Sequence, residues 1–400
     1  VEKIAGTGIG DEIAQAKDEL VRLRRYFHSH PEKGYREIET SRKIKEFLEA
    51  IEIPVKTGFA ETGLTGLIRG KKPGPVIMYR ADMDALPISE ENPQIDYRSQ
   101  NQGVSHACGH DAHMAVALLT AKIIKKNIAD LSGSVVFLFQ PSEELAPGGA
   151  QKMIQDGALD DPKPDAVLGL HVWNDFNIGK VGITPKAVFA STDEFTITLT
   201  GSGGHGALPH RTVDTIYCAS QIAVALQELA SREIDPLSPF ILSLGQLHAG
   251  SAYNIIPGKA EIQGTIRCFD GELRNFAKHR IQEISKGIAA ALRCGCEVSL
   301  WDGYPTLWND PVITKTIESA AAKFIPGENI LTDYRTMGSE DFSYYLEKVP
   351  GCFFIVGSSN REKGITASHH SPDFNIDEDS LLIALQLAVE GILTLTQSTF

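Results

Sequence analysis

Eight consecutive residues, His106-Ala107-Cys108-Gly109-His110-Asp111-Ala112-His113, carry three imidazoles, a thiol and a carboxylate. Cys108 and His110 are both good ligands for a first-row metal, and their spacing lets both reach one ion from a single loop. Gly109 between them lets the backbone turn tightly. The apolar run Met114-Ala115-Val116-Ala117-Leu118-Leu119 follows at once, so the spacing places the cluster at a helix N-terminus, where the helix dipole favours an anionic ligand. A buried structural thiol among ordinary loop histidines does not account for five such groups in so short a stretch. A thiol nucleophile activated by histidine leaves unexplained the acidic and histidine motifs downstream.

Those motifs are Glu143-Glu144, His171 and His369-His370, with Asp82 upstream. Cys108, His110, Glu144, His171, His370 and Asp82 together exceed what one four-coordinate ion needs. They suit two divalent ions sharing an anionic ligand, a device that activates water and holds a developing oxyanion. The thiolate of Cys108, the soft anion of the cluster, is the candidate bridge. One of the two adjacent glutamates is then free to act as general base, and spacing alone does not say which.

The surrounding pattern shows what must position these groups. Pro75-Val76-Ile77-Met78-Tyr79-Arg80, Ser134-Val135-Val136-Phe137-Leu138-Phe139, Asp165-Ala166-Val167-Leu168-Gly169-Leu170 and Cys352-Phe353-Phe354-Ile355-Val356-Gly357 are near-continuous apolar strands alternating with helices. Strands buried on both faces mean an α/β sheet. Asp82, Glu143, Glu144, His171 and His370 are each expected just past the C-terminal end of one of them, the edge where open α/β sheets hold ligands. Residues 11–50 read as an amphipathic helix broken at His28-Ser29-His30-Pro31-Glu32-Lys33-Gly34, with His28 and His30 expected as solvated turn histidines. From about Ala187 the texture changes. A strand at 195–200, a helix at 213–229, strands at 240–244 and 260–267, a helix at 271–292 and a strand at 297–301 give the β-α-β-β-α-β order of a ferredoxin-like unit. The expected domains are therefore 1–187 with 304–400, and an inserted 188–303.

The chain has 400 residues, ordinary apolar and charged fractions of 42% and 22%, and a formal net charge of -13. An acidic surface has no cationic surplus to neutralise phosphates, which argues against nucleic acid. No apolar run reaches the length of a membrane span. The opening Val1-Glu2-Lys3-Ile4-Ala5-Gly6 has no signal-like apolar core and no initiating Met. Six cysteines in a chain of this length are not a disulfide framework, and the cytoplasm is the expected compartment.

Several stretches resemble the amidohydrolase branch of the aminoacylase/carboxypeptidase metallopeptidase family, which includes hippurate hydrolases, N-acyl-amino-acid amidohydrolases and hydrolases of indole-acetyl-amino acids. They are Arg24 through Glu32, Arg80-Ala81-Asp82-Met83-Asp84-Ala85-Leu86-Pro87, His106 through His113, Gln140-Pro141-Ser142-Glu143-Glu144, Gly204 through His210, Asn254-Ile255-Ile256-Pro257 and His370-Ser371-Pro372. The resemblance covers nearly the whole chain. It implies a zinc-aminopeptidase-like α/β/α catalytic domain with an inserted ferredoxin-like α+β domain serving as lid and dimerisation surface.

The resemblance also implies roles. Cys108, His110, Glu144, His171 and His370 would hold two divalent ions (Mn, Zn, Co or Ni), with Cys108 bridging. Glu143 would be the general base and Asp82 an orienting group behind the ligands. His205 would steady the oxyanion, often from a partner subunit, and Asn254 and Arg267 would hold the substrate carboxylate. Arg80 stands where other branches have a histidine ligand, which fits a thiolate-based site. Leu145-Ala146-Pro147 replaces a stretch that is usually glycine-rich, so the acyl pocket is expected to be reshaped. The implied activity is metal-dependent hydrolysis of small N-acyl-amino acids (N-acetyl, N-benzoyl or aryl-acetyl) by a homodimer or homotetramer. A dipeptidase or carboxypeptidase on the same fold, and an inactive metal-binding scaffold, are the rivals.

Overall fold

The computed structural model describes residues 8–129 and 131–398, so the opening stretch Val1 to Gly6 lies outside the described residues. The chain divides into two compact units. The first runs to Val188, resumes over Trp308–Arg335 and again from Asp341, while the second takes Phe189–Leu307 and Thr336–Glu340. The short return Thr336–Glu340 sides with the second unit for a local reason. Ala190 N donates to Thr336 O (3.2 Å) and to Gly338 O (2.9 Å), and Arg267 donates to Met337 O (2.9 Å).

The first unit is built on an eight-stranded mixed sheet. Its spatial order is Val55–Phe59, Gly63–Arg69, Ser132–Gln140, Lys72–Asp82, Ala166–Asn177, Gly351–Ser359, Val181–Gly182 and Ile330–Leu331. Lys72–Asp82 runs parallel to both of its neighbours, and Gly351–Ser359 runs parallel to Ala166–Asn177. Ile77, Tyr79, Ala81, Val135, Phe137, Phe139, Cys352, Phe354 and Val356 belong to one core with the helices His110–Lys126 and Ser380–Thr396. The residues between them, Met78, Arg80, Val136, Leu138, Phe353 and Ile355, point to the other face and are equally buried. Each buried Phe or Leu contributes roughly 1.5–3 kcal/mol, so the central strands are the stiffest support available for a site. Helix His110–Lys126 is apolar nearly all round because it is buried nearly all round.

Three expectations need correction. Asp82 is the last residue of its strand, not a residue past it. His171 lies inside a strand that continues to Asn177, because Gly351–Ser359 keeps pairing with it, His171 opposite Ile355, beyond the register where Lys72–Asp82 stops. His28 also differs. Helix Lys17–Ser29 runs through it, and it is buried rather than solvated, whereas His30 is exposed.

The second unit is a four-stranded antiparallel sheet in the order Phe240–Ala249, Lys259–Cys268, Ser191–Thr200, Gly295–Asp302, with helices Thr215–Glu228 and Gly271–Ala291. Phe195, Ile197 and Leu199 alternate into its core against Ile222, Leu226, Ile262, Ile266 and Ile281. Asp214 and Asp270 cap the two helices through N–H groups two or three residues on. A short pair, Gly204–His205 with Ile255–Ile256, joins two loops. All six cysteines are free, and among the described residues no helix is long and apolar enough to cross a membrane.

Candidate metal centre

Gly109 adopts φ +90°, and a Cβ there would lie 2.4 Å from Val172 Cγ2, so both backbone conformation and space require glycine. The helix starts at His110. His110 Nδ1 donates to Asp84 O (2.9 Å), and His171 Nδ1 donates to Val172 O (2.6 Å). Each bond engages Nδ1 and leaves Nε2 as the nitrogen facing inward. His171 Nε2 lies 3.4 Å from Cys108 Sγ. His110 Nε2 is buried with no hydrogen-bond partner among the described residues.

The glutamates arrive from the loop after Ser132–Gln140. Glu144 Oε1 lies 3.9 Å from His110 Nε2 and 3.1 Å from His370 Nε2, yet no well-directed hydrogen bond reaches this buried oxygen among the described residues. His370 is itself held at φ +64°, and its N–H donates to Ala107 O (2.8 Å), which ties its loop to the Cys108 loop. A non-glycine residue in that region is strained, and such strain concentrates at functional sites.

The ligand-type atoms gather in overlapping sets, each within 4.8 Å: Cys108, His110 and His171; Cys108, Glu144 and His370; His110, Glu143 and Glu144. Cys108 is common to the first two. The electrostatics suit a cation. Burial, then Glu144 and Glu143, push the Cys108 thiol well up, so a thiolate here needs nearby positive charge. Burial opposes a charged His110, but Asp82, Asp84 and Glu144 outweigh it and lift the imidazole to about 10. Burial, His113 and His369 hold His171 well below the ordinary histidine value, the neutral form a metal takes. A buried soft donor, two inward imidazole nitrogens, acidic surroundings that favour positive charge at His110, and a glutamate oxygen without a directed partner fit divalent metal. Two sets sharing Cys108 fit two ions.

Asp82 is engaged at both carboxylate oxygens. Its Oδ1 accepts from His113 Nδ1 (2.6 Å), its Oδ2 from Arg80 (2.5 Å), and Oδ2 lies 3.7 Å from His110 Nε2. His113 also accepts from Val172 N (3.0 Å), so both its nitrogens are engaged. Arg80, buried, donates to Gln140 (2.9 Å) and Asp341 (2.8 Å) as well.

Sequence reasoning passed over several residues. Asp84 accepts from the backbone N–H of Glu143 and of Glu144, each at 3.0 Å, and Glu37 accepts from Ser142 N (2.9 Å). His28 lies between Asp111 (2.7 Å) and Glu90 (3.0 Å), and Arg24 Nε pairs with Asp111 at 2.9 Å. Burial alone would raise the Asp111 carboxyl, but Arg24 and His28 outweigh it and hold it below the usual range. The Asp82-Met83-Asp84 spacing was the available signal for Asp84; no local signal marked Glu37 or His28.

His205, Asn254 and Arg267 belong to the second unit. His205 is exposed, and its Nδ1 accepts from Ala207 N (3.0 Å). Asn254 is exposed beside it, with Gly206 N donating to Asn254 O (2.8 Å). Arg267 is partly buried on its strand.

A family model, peptidase family M20/M25/M40, matches residues 78–393. The chain is 39% identical over 386 residues to the N-acetyl-L-cysteine deacetylase of Bacillus subtilis (strain 168), covering 96% of this chain and 90% of the relative. It is 41% identical over 297 residues to the N-acyl-L-amino acid amidohydrolase of Geobacillus stearothermophilus, covering 74% and 80%. The solved structure of Bacillus subtilis YXEP protein, described as a dinuclear metal binding peptidase from the M20 family, superposes with a TM-score of 0.84 at 32% identity, covering 96% of this chain and all (100%) of that one.

Proposed function

The chain belongs to peptidase family M20/M25/M40 and is a hydrolase acting on amides, and from that premise we propose that it hydrolyses N-acyl-amino acids to a carboxylic acid and a free amino acid. The observation that carries the reading is the pair of ligand sets sharing Cys108, with Glu143 packed against Glu144 and His110. Two divalent ions, held by Cys108, His110, Glu144, His171 and His370 with Cys108 shared, would acidify a water and polarise the acyl carbonyl. Glu143 takes the proton of the attacking water at a carboxylate oxygen. It then delivers that proton to the amide nitrogen as the C–N bond breaks. Asp82 holds His113 and, with Arg80, keeps the floor of the site in place. In the second unit, His205 donates to the oxyanion, and Arg267 with Asn254 holds the substrate carboxylate. Arg suits that task through its planar fork. The first unit is the catalytic domain and the second a lid and self-association domain.

The test is a hydrolysis panel on metal-stripped protein, with and without added manganese or zinc. N-acetyl-, N-benzoyl- and indole-acetyl-amino acids are run beside dipeptides. Metal-dependent release of amino acid from the acylated substrates is expected. Cleavage of dipeptides alone, or none with metal bound, overturns the reading.

A further inference from the structure

Three consecutive backbone N–H groups, of Ser142, Glu143 and Glu144, are each captured by a buried carboxylate oxygen. Ser142 donates to Glu37 Oε1 (2.9 Å), Glu143 to Asp84 Oδ1 (3.0 Å) and Glu144 to Asp84 Oδ2 (3.0 Å). Asp84 therefore spends one oxygen on each glutamate. The turn it grips is also strained. Ser142 has φ +53°, a left-handed conformation that a serine adopts only when its surroundings enforce it. Gly34 presses on the same turn, where a Cβ would stand 2.7 Å from Ser142 Oγ, so there is no slack on that side. Asp84 also faces the metal centre from behind, with its backbone oxygen accepting from His110 Nδ1 (2.9 Å) and its Oδ1 3.3 Å from the same nitrogen.

We propose that Asp84 is the positioning residue that separates the roles of the paired glutamates, holding one as metal ligand and its neighbour as proton carrier. Side chains of adjacent residues diverge only as their backbone directs, and here one bidentate carboxylate fixes both peptide planes, while the backbone oxygen of the same residue holds His110 Nδ1. Losing either half of the grip lets the pair rotate as a unit, which blurs ligand and base at once. The proposal rests on the roles assigned to Glu143 and Glu144 above.

Asp84→Asn tests it. The variant keeps the shape but turns an amide NH2 toward one of the two N–H groups. Affinity for manganese or zinc, read by competition with a chelating dye, is expected to fall by roughly 10–100-fold, as loss of such outer partners does. At saturating metal, kcat should fall at least about tenfold with KM within about twofold, the pattern of an interaction felt in the transition state. Thermal unfolding of the metal-free variant gives the folded fraction. If metal affinity and kcat per folded molecule match the parent protein, Asp84 is merely structural and the proposal is wrong. The dye competition needs no substrate. A parent protein that cleaves no N-acyl-amino acid would sink the proposed function while leaving the metal arm to decide on Asp84.

Discussion

The two units hold their candidate residues in opposite ways. In the first, four of the five proposed ligands are fixed from behind: His110 by Asp84, His171 by the backbone of Val172, His370 through its own N–H to Ala107, and Glu144 by Asp84. In the second, His205 and Asn254 sit exposed on paired loops, with backbone contacts for company. Cys108, His110 and His171 are buried and Glu144 is partly so, with His370 at the exposed rim; a set held this way is preorganised before substrate arrives and tolerates little change. An exposed set costs little folding energy and is free to be shaped by what binds. The contrast teaches where each kind of substitution should register, in the chemistry and stability of the first unit or in the substrate handling of the second.

Glu143→Gln should have the largest effect on turnover. Removing a positioned base costs roughly 10²–10⁴-fold in kcat. Metal content by elemental analysis should stay at the parent level, since Glu144 and not Glu143 is the assigned ligand. Loss of metal together with activity would swap the two roles.

Arg80→Met attacks the scaffold of the same site. Arg80 is buried and paired with Asp82 and Asp341, so its removal takes the cation away from two buried carboxylates. Breaking a buried ion pair from one side costs about 3–5 kcal/mol, which urea unfolding should register. Asp341, already raised to about 6 by burial against the pull of Arg80, would then be driven further toward its neutral form. An unchanged unfolding midpoint would mean that the pair contributes nothing net.

Arg267→Ala in the second unit should behave differently. It is partly buried with a backbone oxygen, Met337 O, as its hydrogen-bond partner. KM for an N-acyl-amino acid should rise roughly 10–100-fold with kcat little changed, the mark of uniform binding lost, and unfolding should move by less than about 1 kcal/mol. A kcat loss with KM preserved would place Arg267 in the chemistry and narrow the gap between the units.

The same contrast explains what could be read from sequence. The Cys108–His113 cluster is local, so its types and spacing show it, and the apolar strands that support it announce a sheet buried on both faces. The second unit's element order was legible because its alternation and helix periods are clean. The strand end at His171 was not, since a strand stops where its partners stop and Gly351–Ser359 arrives from far along the chain. His28 was misread for a related reason. Pro31 and Gly34 suggest a turn, but the partner that buries it, Asp111, is distant in sequence. Asp84 and Asp82 look interchangeable in Asp82-Met83-Asp84. Only the fold shows one serving histidines and the other serving backbone N–H groups.

The smallest effect expected, Glu37→Gln, asks whether the first unit accepts any change at its carboxylates. Burial, followed by the nearby Asp84, raises the Glu37 carboxyl from its ordinary 4.5 to about 7. The folded state therefore prefers the protonated form. The stability this group contributes is full below about 4.5, declines as pH rises from there to about 7, and is flat above. Gln mimics the protonated form. Its oxygen can still accept from Ser142 N, and its NH2 can donate to Thr62 Oγ1, which now donates to Glu37 at 2.7 Å. At pH 8 the variant should be the more stable protein, by on the order of 1 kcal/mol, because it no longer buries a charge. Near pH 4 the advantage should vanish. Unfolding both proteins across that range isolates Glu37, since every other carboxylate titrates in both and cancels in the difference. A variant that is less stable at pH 8 would show that the charge on Glu37 strengthens its grip on Ser142 by more than burial costs. The turn carrying Glu143 and Glu144 would then owe part of its hold to the charge on Glu37, with no slack on that side.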